Sequence, residues 1–298
     1  MLRPTPEQLA LLTPVERFWL RLALVFNGPR KWVSRFIVST WGIGLLWFTG
    51  GRRFRIHGLE NLDRFDKNSS LVMAANHRSF FDFYTITYTT IRFTRMTRKC
   101  SFPVRSTFFY ERPLGAFINF ILTGMAMFPP ILRERGKAEF NRWSLERMAD
   151  DLRRPGTLIG IHPEGRRNKD EDPFTFLKAQ PGIGHLALEV DDLTILPVFV
   201  KGMTNDAVRE WWRNWTAPKD WPIDIRFGEP IRYDDLVDRR RATRAAKAIA
   251  DRTMGAVAEL AEEQRAWERA SQRSAWPAQP VPVLAPRAVL QRLRAQMR

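Results

Sequence analysis

The chain has 298 residues, of which 44% are hydrophobic, and carries a formal charge of +16 from 48 Lys and Arg against 32 Asp and Glu. That length can bury a full core, in one domain with appendages or in two small domains. The single cysteine, Cys100, excludes an intrachain disulfide framework and a cysteine metal cluster, and the charge favours nucleic acid, an anionic lipid surface or acidic metabolites as partners.

Residues 1–30 lack a clean secretory signal because Pro14, Glu16 and Arg21 interrupt them; residues 9–26 read instead as an amphipathic helix. Asn27-Gly28-Pro29 breaks the chain, and a second helical run extends from near Lys31 to Phe48. Its centre, residues 36–48, is uncharged over 13 positions, short of the about 20 that a transmembrane helix needs. Trp32, Trp41 and Trp47 lie in this region, and Arg52 and Arg53 end it. One reading is a pair of core helices packed on the domain. The other is a membrane-associating hairpin embedded in one leaflet, with a full crossing as its extreme form.

Residues 52–56 alternate and suggest an opening strand, and residues 70–75 form an apolar run typical of a buried strand. A helix is expected over 83–91, a short strand over 102–104, a helix over 114–122, and a short strand over 125–128 ended by Pro129-Pro130. Phe140, Trp143, Leu145, Met148 and Leu152 recur at helical spacing within 137–152, before Pro155-Gly156. Strands are expected over 157–161, 193–200 and 223–227, with a helix over 182–189. This alternation predicts an α/β domain with a largely parallel central sheet and flanking helices, over 51–232. The hairpin at 1–50 precedes it. Residues 233–298 follow as a basic region, with Arg239-Arg240-Arg241, an Ala-rich helix to about Arg265, a tail marked by Pro277, Pro280, Pro282 and Pro286, and a short basic helix over 288–297.

Two polar loops follow buried strands. The first is Asn76-His77-Arg78-Ser79-Phe80-Phe81-Asp82. A tight turn into a helix can fold the Asp82 carboxylate onto the His77 imidazole, and a histidine held by a carboxylate is the usual general base for a hydroxyl. The second is His162-Pro163-Glu164-Gly165-Arg166-Arg167-Asn168. Gly165 lets a ligand approach the backbone, Arg166 and Arg167 suit a phosphate or carboxylate, and Glu164 can orient an arginine or hold a hydroxyl. A solvated basic turn is the plainer alternative. Open parallel sheets bind ligands at the carboxyl ends of their strands, so both loops can face one cleft. Arg133 and Arg135 form a third basic group, and Lys178 either reaches the same anion or is an ordinary surface lysine. His162 and His185 are further candidate bases or ligands, although no spacing typical of zinc is present and no metal is expected. The chain has no GxxxxGK or GxGxxG motif and no aromatic RNA-binding signature, so a nucleic-acid role rests on charge alone.

These motifs resemble those of the glycerolipid acyltransferases, the bacterial 1-acylglycerol-3-phosphate O-acyltransferases among them. The family's block Asn-His-x-Ser-x-x-Asp is matched by Asn76, His77, Ser79 and Asp82, and its block Phe-Pro-Glu-Gly-Thr-Arg by residues 162–167. Leu196-Pro197-Val198, the stretch with Phe176, Lys178 and Gly182, and residues 57–62 resemble further parts, so the likeness covers about 52–230 in the family's order. Arg166 stands where the family has Thr. The arginine of another block is shifted, which makes Arg133 the best candidate for it and Arg135 the reserve.

The resemblance implies acyl transfer without a covalent acyl-enzyme. His77 would take the proton of a lysolipid hydroxyl, and Asp82 would hold the imidazole tautomer. Asn76, Ser79, Arg133, Arg135, Glu164, Gly165, Arg166 and Lys178 would bind substrate, with Asn76 or backbone amides as oxyanion donors. It implies no cofactor; acyl-CoA or acyl-carrier protein is the thioester donor. The acceptor would be 1-acylglycerol-3-phosphate in the bilayer, giving phosphatidic acid and reached from the cytoplasmic face of the membrane. Another lysophospholipid or a lyso-amino-acid lipid is an alternative acceptor, and a noncatalytic basic module for membrane or nucleic acid is the alternative class.

Overall fold

The computed structural model describes residues 1–97, 99–132 and 134–273. Arg133, the Pro-rich tail and the expected helix over 288–297 lie outside the described residues, as does the side chain of Arg135.

The predicted helix over 9–26 is two helices, because each of two threonines starts one. Thr5 caps α1 (Pro6–Ala10) and Thr13 caps α2 (Pro14–Phe26), each in a reciprocal capping box closed by Gln8 or Glu16. After Asn27 the chain enters α3 (Lys31–Ile37), which continues through a π-turn at Val38–Gly42 into α4 (Ile43–Gly50). Leu20, Ala23 and Leu46 are buried in the main hydrophobic cluster, whereas Trp32, Phe36, Trp41, Trp47 and Phe48 are exposed. The segment therefore packs on the domain by one face and leaves aromatic rings on the other. Among the described residues no helix is long and apolar enough to cross a membrane.

β1 (Phe54–His57) leads to β2 (Leu71–Ala75) and α5 (Asp82–Phe93), then to β3 (Cys100–Ser101), β4 (Val104–Arg105), α6 (Ser106–Phe109) and α7 (Pro113–Thr123). β5 (Pro130–Ile131), α8 (Ala138–Leu152), β6 (Leu158–Ile161), α9 (Gly182–Glu189), β7 (Thr194–Lys201), α10 (Ala207–Thr216), β8 (Ile223–Phe227) and α11 (Ala242–Arg273) follow among the described residues. The main sheet runs β1-β8-β7-β2-β6-β3. β7, β2, β6 and β3 are mutually parallel, as the crossover helices require. β8 pairs antiparallel with β7 and carries β1 parallel to itself, so these two strands run against the other four. The sheet is thus mixed, and parallel for the most part.

β2 is buried along its whole length because both faces of the sheet are covered. Leu71, Met73 and Ala75 join one hydrophobic cluster with α5, while Val72 and Ala74 join another with α8, α9 and α11. The period of two along the strand makes that division. Gly160 in β6 has a separate task. A Cβ there would meet the Phe83 ring at 2.4 Å and the Phe102 ring at 2.6 Å, so its absence lets the first turn of α5 lie close to the sheet.

Three local expectations change. The strand expected over 102–104 divides into β3 and β4, because Pro103 lacks an N–H and Phe102 N donates to Ala126 O instead. Residues 125–128 form no strand. Gly124 and Met125 are left-handed, and side chains take the backbone groups: Thr123 Oγ1 and Asn119 Oδ1 accept from the N–H groups of Ala126 and Met127, and Tyr110 and Asn27 donate to the Met127 and Met125 carbonyls. The C-terminal helix runs on to Arg273, since the residues beyond Arg265 are mostly good helix formers.

Candidate active site

β2 and β6 are neighbours, with Ala74 paired to Ile161. The two polar loops therefore leave adjacent strands in the same direction, and backbone contacts join them. Asn168 N donates to His77 O at 2.7 Å, and His77 N donates to Glu164 Oε1 at 2.8 Å. The third neighbour, β7, contributes the loop after Lys201, where Thr204 O accepts from Ser79 Oγ at 2.8 Å.

His77 Nδ1 lies 3.1 Å from Asp82 Oδ2. The same carboxylate oxygen accepts from Arg78 N at 2.7 Å and Ser79 N at 2.8 Å. Asp82 opens α5, where a negative charge is favoured. An ionised carboxylate only accepts, so Nδ1 carries the imidazole proton and Nε2 keeps its lone pair. The His77 side chain is 21% exposed and that of Asp82 is 1% exposed, so the imidazole meets solvent and its partner does not. Burial, then the Arg167 guanidinium, lowers the basicity of His77 and leaves it neutral at neutral pH. Burial pushes the Asp82 carboxyl up to about 6, against the opposing pull of His162 and the N–H groups of Ser79 and Arg78.

His162 lies flat on His77, with ring centroids 3.8 Å apart and planes 6° apart. Its Nδ1 lies 3.0 Å from Ala75 O and therefore carries the proton. Burial, then the neighbouring imidazole, disfavours its charged form. His77, Asp82 and His162 bring ligand atoms within 4.8 Å of one another. A shared ion needs lone pairs that converge at about 2.0–2.1 Å. In parallel stacked rings the lone pairs lie in separate planes, and both Nδ1 atoms already have partners, so this arrangement suits proton transfer rather than metal binding.

Several motif residues build the scaffold. Asn76 is fully buried; its Nδ2 donates to Val200 O and its Oδ1 accepts from Val200 N, both at 2.8 Å. The side chain thus extends the pairing of β2 with β7. Ser79 is equally buried, donating to Thr204 O and accepting from Phe81 N. Glu164 is 2% exposed, and its second oxygen accepts from Leu177 N at 2.9 Å. It splints the His77 loop to the chain around Leu177. Gly165 turns with φ +65°, and a Cβ there would sit 2.8 Å from Gln180 Cγ.

Exposed cations lie on the second loop and just after the Glu164–Leu177 contact. Arg166, Arg167 and Lys178 are solvent-accessible, and Arg167 Nη1 donates to Asn205 Oδ1 at 2.8 Å. Arg105, at the end of β4, reaches to 3.9 Å from the Cβ position of Gly165. Sequence reasoning missed Arg105, Asn205 and the stacking role of His162. The one available signal was that parallel neighbouring strands bring their following loops together.

A family model for acyltransferases matches residues 53–201, half of the chain. The chain belongs to the acyltransferase family, and the His77–Asp82 pair matches the family's catalytic motif; it is an acyl-transfer enzyme. Among solved structures it is similar to the 1-acyl-sn-glycerophosphate (LPA) acyltransferase PlsC from Thermotoga maritima, with 18% identity and a TM-score of 0.47 over 84% of this chain and 88% of that one. No curated protein matches the sequence.

Proposed function

We propose that the protein transfers a fatty acyl group from acyl-CoA or acyl-carrier protein to the free hydroxyl of 1-acylglycerol-3-phosphate, giving phosphatidic acid. The observation that carries this reading is His77, oriented through Nδ1 by the buried Asp82 and standing beside exposed cations. His77 Nε2 takes the hydroxyl proton as the oxygen attacks the thioester carbonyl. The tetrahedral intermediate collapses, the C–S bond breaks, and the imidazolium returns the proton to the thiolate. Asp82 stabilises the imidazolium between these steps. Direct transfer is supported by the state of Ser79, the hydroxyl within the His77 loop, and of Cys100, the one thiol of the chain. The Ser79 hydroxyl is buried and hydrogen-bonded to Thr204 O, and the buried Cys100 thiol is pushed up to about 11 by burial. Arg166, Arg167 and Lys178, with Arg133 and Arg135 as further candidates, attract the acceptor phosphate, and Gly165 admits it to the backbone. Asn76, Ser79 and Glu164 serve that substrate site by holding its loops.

A bilayer substrate calls for a membrane-facing surface. Trp47 and Phe48 of α4 meet Trp211 and Trp215 of α10, with ring centroids 5.7–6.1 Å apart, and Val208 and Trp212 extend the same exposed face. Indole rings favour the membrane interface, which supports monotopic or peripheral association at the cytoplasmic face, where thioester donors are found. Arg166 adds a guanidinium where the family has Thr, which favours a second acceptor class bearing a carboxylate, a lyso-amino-acid lipid.

The test is a panel of lysolipid acceptors with a thioester donor, read by lipid mass spectrometry. Preference for lysophosphatidic acid is expected. Equal use of neutral, zwitterionic and anionic acceptors contradicts the phosphate site, and preference for the amino-acid lipid selects the second acceptor class.

A further inference from the structure

The edge of the sheet opposite the catalytic loops holds a second feature. Lys67 precedes β2, Lys99 precedes β3, and Pro155 precedes β6, so the residues that introduce three adjacent strands gather there. With Arg35 from α3 and Arg95 they line a cavity of about 410 Å³. Four cations face this space and no carboxylate lines it. All four are exposed, and among the described residues none of them has an ion-pair partner, whereas the buried Arg53 and Arg147 each have one. β2 alone, five residues long, puts about 16 Å between this edge and the catalytic loops.

Like charges gathered around one cavity repel each other and draw an anion in. Guanidinium groups match a phosphoryl group's geometry. The neighbourhood narrows the ligand further. Arg35 lies on α3 between Trp32 and Phe36, whose side chains are 67% and 63% exposed. A ligand held here would have its charge in the cavity and an apolar surface beside it. That combination of phosphoryl head and apolar tail describes an anionic phospholipid.

We propose that this basic cavity binds the phosphoryl headgroup of an anionic phospholipid and thereby orients the α3 face on a membrane that contains such lipids. This rests on the membrane association proposed above, and it assigns no part in the chemistry to the cavity.

The test uses the full chain and vesicles of phosphatidylcholine, alone or mixed with phosphatidylglycerol. Three proteins are compared by co-sedimentation: the wild type, Arg95→Glu/Lys99→Glu, and a control of equal charge change, Arg241→Glu/Arg244→Glu. The milder Arg95→Gln/Lys99→Gln replaces the first variant if its melting curve shows misfolding. The wild type is expected to prefer the anionic vesicles by about tenfold or more at low salt. The cavity variant should lose most of that preference and the control should keep it, while binding to phosphatidylcholine stays equal in all. Inorganic phosphate should erode the wild-type preference more than chloride at matched ionic strength. Equal loss in both charge-reversal variants overturns the site in favour of general charge attraction. Phosphate binding without any vesicle preference overturns the lipid as ligand. Failure to bind either vesicle removes the membrane association and this proposal with it, and leaves the acyl-transfer reading to its own test.

Discussion

His77 and His162 form a parallel stack, with centroids 3.8 Å apart and planes within 6°. One face of the base is therefore covered by a ring that is itself held by Ala75 O, and Asp82 holds the ring edge. Together these contacts fix the direction of Nε2. His162→Ala removes the ring and should lower kcat about tenfold with little change in KM, the signature of a less well positioned base. His162→Phe, which keeps a flat ring, should recover most of the loss. Equal impairment in the two variants would show that the imidazole nitrogens, rather than the stack, matter.

The sign of the pH dependence follows from Asp82. Its carboxyl is raised to about 6 by burial, so it takes up a proton as pH falls through that value. The protonated form holds the Nδ1–H tautomer of His77 less firmly and stabilises its imidazolium less. kcat should therefore be steady at neutral pH and fall below about 6, by roughly tenfold per unit once protonation dominates. Asp82→Asn should lower kcat by about 100-fold or more at every pH and abolish this acid limb. A wild-type profile that stays flat well below 6 would contradict Asp82 as the orienting carboxylate.

Much of this arrangement was legible because its parts are local or periodic. β2 reads as a buried strand from its unbroken apolar run, and His77 and Asp82 lie within one turn of each other in sequence. The partnership of His77 with His162 depends on β2 and β6 being neighbours, which no local pattern states. α10 was missed for a different reason: its buried residues are Glu210 and Asn214, and its apolar residues face outward. The usual signal of a helix packed on a domain is inverted there. Residues 125–128 looked like a strand because they are apolar and buried, but side chains as distant as Asn27 satisfy their backbone.

Glu210 anchors α10 through a fully buried ion pair. Arg53 Nη1 lies 2.5 Å from Glu210 Oε2, and Arg53 also donates to Trp221 O and Gly202 O. Glu210 Oε1 accepts from Thr204 N and Oγ1, and Thr204 O receives the Ser79 hydroxyl. Removing one partner strands the other's charge, so Arg53→Ala should cost about 3–5 kcal/mol of unfolding free energy. In denaturant titrations the double variant Arg53→Ala/Glu210→Ala should lose less than the sum of the single losses. Additive losses would contradict a coupled buried pair.

Glu164 separates scaffold from substrate contact. In Glu164→Gln an NH₂ group replaces one carboxylate oxygen and faces the N–H of His77 or Leu177, donor against donor. Stability should drop by about 1–3 kcal/mol, and kcat should fall with little change in acceptor KM. Arg166→Ala should do the reverse, raising acceptor KM several-fold with stability unchanged. A Glu164→Gln effect confined to acceptor KM would assign this carboxylate to the substrate instead.

The role proposed for His77 is that of the base in a direct acyl transfer. It is tested most directly by His77→Ala in purified enzyme given a thioester donor and lysophosphatidic acid, with acylated lipid and released thiol both measured. Loss of both products is expected, with the melting temperature and vesicle binding retained. Continued formation of acylated lipid by the folded variant would contradict it.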